Sequence, residues 1–116
     1  MYGPSGNKLV PGFVDWVNLM IGAKGAYRYL SDFLTSLSSG GFKLVPHEVP
    51  ADGRRIWSEF YHNDIKLSAV PVNHGPIPAL AWRVDTGGVG ITFTGDASND
   101  KQTIAKLADG SDILVA

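Results

Sequence analysis

At 116 residues, 44% of them hydrophobic and 18% charged, the chain has room for one small domain with a single core. Ten Lys and Arg against 11 Asp and Glu leave a formal charge of −1, so there is no bulk-charge signal for nucleic acid or an anionic membrane. Cysteine is absent, which excludes disulfides, thiolate metal sites and cysteine nucleophiles, and no apolar stretch reaches the roughly 18 residues of a membrane span.

The chain opens on Tyr2-Gly3-Pro4-Ser5-Gly6, a turn signal rather than a basic and then apolar leader. With the missing cysteine, that start predicts a cytoplasmic protein. Pro11 suits a first helical turn, and Phe13, Val14, Val17 and Met20 or Ile21 follow at helical spacing until Gly22 and Gly25 interrupt. A second helix is predicted over Ala26–Leu37, with Tyr27, Leu30, Phe33, Leu34 and Leu37 on one face, ended by Ser38-Ser39-Gly40-Gly41. From Phe42 the period shifts towards strands. These are Lys43–Val49, then Arg54–Tyr61 after an Asp52-Gly53 turn, and Ile65–Val72 after an Asn63-Asp64 turn. Ala79–Asp85 and Val89–Thr94 form a hairpin through Thr86-Gly87-Gly88, and a short helix over Asn99–Ala108 leads to a last strand, Asp112–Ala116.

That order of elements predicts a layered α/β or α+β arrangement. The final run, Ser111 to Ala116, reads as a buried strand that needs neighbours on both sides. With the opening turn, it predicts an excised or truncated piece of something longer.

Residues 70–98 carry the chemistry. An apolar strand delivers His74 into a loop made irregular by Gly75, Pro76 and Pro78, and a later strand ends at Gly95-Asp96. An imidazole and a carboxylate at the carboxyl ends of strands flanking one hairpin are donor types that a hydrolytic metal site uses. Each has an ordinary alternative: His74 as a loop residue hydrogen-bonded to backbone, and Asp96 as a helix N-cap, a job Ser98 or Asn99 could share. His47 and His62 read as surface or edge residues, and no closely spaced histidine motif is present. Gly3-Pro4-Ser5-Gly6-Asn7-Lys8 lacks the spacer of a phosphate loop. Without a Gly-x-Ser-x-Gly elbow, Ser5 and Ser98 give no serine hydrolase. Trp82 reads as core rather than as a stacking platform.

Four stretches resemble the metallo-β-lactamase-fold hydrolases, in the branch of ribonuclease Z, arylsulfatase and cyclic-nucleotide phosphodiesterase-like enzymes. They are Tyr2-Gly3-Pro4-Ser5-Gly6, Val72-Asn73-His74-Gly75-Pro76 with Ala79 to Val84, Thr92-Phe93-Thr94-Gly95-Asp96, and Leu107 to Val115. The resemblance covers most of the chain and is most specific over residues 66–116. It implies a single domain, 1–116, forming part of an αββα sandwich, mostly one β-sheet with flanking helices. It also implies that His74 and Asp96, 22 positions apart, are metal ligands, the aspartate bridging two Zn²⁺ ions in the complete protein. Ala97 departs from the family's usual threonine.

The family's His-x-His-x-Asp-His signature and its last ligand histidine have no counterpart in these residues, so two of roughly seven metal-site side chains are present. The resemblance thus implies a fragment of a zinc-dependent hydrolase of phosphodiester or related esters, with no catalytic residue of its own and weak or absent zinc binding. Its partner would be a small-molecule or nucleotide ester. Alternatives are a sulfatase- or lactonase-like hydrolase of the same fold, and a non-catalytic interaction or structural domain.

Overall fold

A computed structural model of the chain describes residues 1–36, 38–62 and 64–116. Leu37, assigned above to a helix face, and Asn63, assigned to a turn, lie outside the described residues. The chain divides into two compact units, Met1–Glu48 and Val49–Ala116.

In the first unit, β1 (Tyr2–Pro4) belongs to a two-stranded sheet with β2 (His47–Val49). The opening residues therefore form a strand and not only a turn. The Met1 carbonyl accepts from His47 N at 2.8 Å, and the Tyr2 and His47 rings stack at 5.1 Å. Gly3 is needed where the Phe13 ring crosses, since a Cβ would collide with it.

Helix α1 (Phe13–Ile21) forms where its apolar spacing predicts, with Val17 as its buried residue. No side chain caps it locally. Glu48 substitutes, accepting from Val14 N at 3.3 Å and placing negative charge at the helix N-terminus. The predicted second helix is instead a 3₁₀ segment, Arg28–Leu34, without one buried residue. Its Leu30 N donates to the Tyr27 carbonyl at 2.9 Å, the tighter i to i+3 pattern. With no buried stripe and no cap, nothing repays the longer α-helical ladder.

The second unit is a five-stranded sheet in chain order: β3 (Trp57–Tyr61), β4 (Ile65–Val72), β5 (Ala79–Thr86), β6 (Val89–Phe93) and β7 (Ile113–Val115). β3 to β6 form an antiparallel meander, and β7 pairs parallel to β6 after the crossover helix α2 (Thr103–Ala108). The hairpin Thr86↔Val89 has two loop residues, Gly87 and Gly88, at φ +57° and +80°. Positive φ at both central positions matches the twist of the flanking strands, and glycine adopts it without strain.

One sheet face carries Val70, Val72 and Ala81, packed with Leu107 of α2, and Ile104 and Ala97 join from its edge. On the opposite face the small Ala69 sits in register between Trp57 and Trp82, whose rings meet edge-on at 6.1 Å. Trp82, expected in the core, is half-buried and packs against Trp57.

The α/β sandwich expectation is overturned. Strands make up 32% of the chain and helices 19%, so this is a small sheet-dominated structure with no clear αββα layering. The physical cause is in the helices. The second became a 3₁₀ segment, and the predicted Asn99–Ala108 helix contracted to six residues. The last strand differs as well. Ile113, Leu114 and Val115 are each about half exposed, not buried between neighbours on both sides.

Candidate metal-ligand edge

β4 and β6 both run antiparallel to β5, so they point the same way and their carboxyl ends emerge at one edge of the sheet. β4 leads through Asn73 to His74, and β6 leads through Thr94 and Gly95 to Asp96. Gly75 and Gly95 lie at φ +63° and +64°, where a Cβ would be strained, and each turns the chain sharply beside its candidate residue.

The two loops are tied to each other directly. Asn73 and Ser98 form an antiparallel bridge, with Ser98 N donating to the Asn73 carbonyl at 3.0 Å. The Asn73 side chain reinforces it at both ends. Its Oδ1 accepts from Gly75 N at 3.2 Å, folding an Asx turn across His74, and its Nδ2 donates to Asp100 Oδ2 at 2.9 Å. Ser98 Oγ donates to the same Asp100 oxygen at 2.6 Å. The Ser98 hydroxyl, and then the Asn73 amide, hold the Asp100 carboxyl below its ordinary range by hydrogen-bonding its charged form.

His74 and Asp96 are exposed at this edge, and neither side chain bonds to another described residue. The ordinary alternatives for them are therefore not realised. The imidazole takes no backbone partner, and Asp96 caps no helix, because α2 starts at Thr103 behind Gln102 in a left-handed conformation (φ +55°) with no side-chain cap. His47 and His62 lie elsewhere, stacked on Tyr2 and set edge-on to Tyr61 at 4.2 Å. Ala97, where a threonine was the expectation from resemblance, packs against the apolar cluster under α2.

The donor types fit a metal centre; their number does not. Zinc sites take three or four protein donors, and no group of three or more His, Cys, Asp or Glu able to hold a metal ion occurs among the described residues. No catalytic step follows from two donors. Residue-by-residue reading of the sequence missed Asp100 as the hub of this edge. The available signal was the Ser98-Asn99-Asp100 run, in which serine and aspartate two apart bond locally.

No helix among the described residues is long and apolar enough to cross a membrane. Comparison with protein families, curated proteins and solved structures gives no match.

Proposed function

We propose that this chain carries part of the metal site of a hydrolase resembling the metallo-β-lactamase-type enzymes, with His74 and Asp96 as two zinc ligands and the other donors lying outside these 116 residues. The supporting observation is the Asn73–Ser98 bridge. It joins the two loops while leaving the imidazole and the carboxylate without protein partners. A phosphodiester or related ester as substrate, and a cytoplasmic setting, belong to the same reading. The first rests on resemblance, and the second is suited by the cysteine-free composition.

Titration of the chain with Co²⁺, a paramagnetic stand-in for Zn²⁺, tests the assignment by amide line broadening in NMR spectra. Broadening is expected first at residues 74–75 and 95–97 together. For two donors the Kd should be on the order of 0.1–1 mM, about 4–5.5 kcal/mol of binding. His74→Ala or Asp96→Ala should remove the effect from both loops. Broadening that begins at His47 or His62 overturns the assignment. Submicromolar His74-dependent binding overturns the two-donor reading.

The absence of a third donor among the described residues favours one competing view, a non-catalytic interaction domain. That view expects no metal response at this edge. Phosphodiester, sulfate ester and lactone remain separable with bis-p-nitrophenyl phosphate, p-nitrophenyl sulfate and a lactone, none of which the 116 residues alone should turn over.

A further inference from the structure

The face of the sheet covered by α2 changes character along its length. Val70 and Val72 supply its apolar end, and the same alternation places Ser68 and Lys66 on that face nearer the start of β4. In register across β5 lie Arg83, opposite Ser68, and Asp85, opposite Lys66. Lys106 reaches the same place from the last turn of α2. Together they line an open hollow of about 290 Å³, with Ile56 and Leu107 as apolar walls.

Directly opposed Lys66 and Asp85 would ordinarily pair across the strands. Arg83 prevents it. Its Nε donates to both Asp85 oxygens at 2.9 and 3.0 Å, and Nη2 lies 2.8 Å from Oδ1. The remaining guanidinium donors go to the carbonyls of Leu107, Asp109 and Gly110. Arg83 and Asp85 thus neutralise each other and are fully engaged. Lys66 is left over the Phe60 ring, 6.0 Å from its centroid, with no carboxylate partner among the described residues, and Lys106 likewise has none. Ser68 is 4% exposed, and its hydroxyl bonds to no described residue although it lines the hollow. Two ammonium groups without a carboxylate partner among the described residues, and a hydroxyl that opens into the hollow from an otherwise buried residue, border a space at the low end of small-ligand pocket size.

We infer that this hollow binds a phosphate-type oxyanion, free or as the head of a small ester. Lys66 and Lys106 would supply charge, Ser68 would donate a hydrogen bond, and Ile56 and Leu107 would form the wall for an organic substituent. The inference is independent of the metal-ligand reading. Lys66 and the end of β4 are six residues apart, about 20 Å of strand, so the hollow and the His74 edge lie towards opposite ends of the sheet.

The test is NMR titration of the chain with inorganic phosphate and, separately, with phenyl phosphate, at ionic strength fixed by chloride. Saturable shifts are expected at the amides of Ser68, Lys106 and Leu107. Lys106→Gln and Lys66→Gln should each weaken binding about three- to tenfold, and Ser68→Ala about threefold. Lys43→Gln, which removes the same charge from the other unit, should leave affinity unchanged. Tighter binding of phenyl phosphate assigns the hollow to esters, and equal affinity assigns it to free phosphate. Absence of saturable shifts at these amides, or equal weakening by Lys43→Gln, overturns the inference.

Discussion

Two charged side chains organise two regions of the same five-stranded unit in contrasting ways. Under α2, Arg83 gathers Asp85 and three carbonyls at the end of the helix, and only 17% of its side chain is exposed. At the open carboxyl edge, Asp100 gathers Asn73 and Ser98 in full contact with water. Both act as hubs. Water competes weakly for the first set of bonds and freely for the second, so the first should govern whether the unit stays folded and the second how two loops are held.

The largest effect that would separate them is at Arg83. Arg83→Met should cost about 2–4 kcal/mol, because it leaves the part-buried Asp85 carboxylate and several helix-end carbonyls without a donor. Arg83→Lys should recover only part of that, since one ammonium cannot reproduce the fork. Urea denaturation measures both. If Arg83→Met moves the midpoint no more than Asp100→Asn does, the contrast between the regions fails. A smaller effect sharpens it. Thr103, 2% exposed, donates from its hydroxyl to the Pro71 carbonyl at 2.7 Å, joining the first residue of α2 to β4. Thr103→Val keeps the shape and removes that bond, so about 1–2 kcal/mol should be lost with the fold unchanged.

The same contrast explains what was legible in the sequence. β4 has the same ends in both readings, because five consecutive buried residues, Ser68–Val72, leave a strand little freedom of register. The Gly87-Gly88 hairpin was equally legible, its turn chemistry being local. The segment Ala26–Leu37 misled because its apolar spacing is helical while no partner buries that face, and amphipathic spacing alone does not stabilise a helix. Asn99–Ala108 was overextended because Ser98 and Asp100 bond into the β4 loop rather than cap α2. That choice depends on β4 and β6, which flank β5, emerging at the same end of the sheet. His74 and Asp96 could be picked out as donors, but the bridge that links their loops is a long-range pairing that no local pattern reveals.

The smallest expected effect is confined to the open edge, where it can be followed by pH. Asp100 ionises below its ordinary 3.8 because Ser98 and Asn73 donate to the charged form. A carboxyl whose folded value is depressed contributes its full effect above the unfolded value and loses it as pH falls through the folded one. The loops should therefore stay clamped down through pH 3.8 and release only at more acidic pH. The side-chain amide protons of Asn73 and the backbone amide of Ser98 report it directly. Both should titrate together with a midpoint below 3.8, and Asp100→Asn should abolish that titration without shifting the urea midpoint. A midpoint at or above 3.8 would mean that the two donors do not hold the carboxylate, and the bridge beside His74 and Asp96 would then stand on its backbone bond alone.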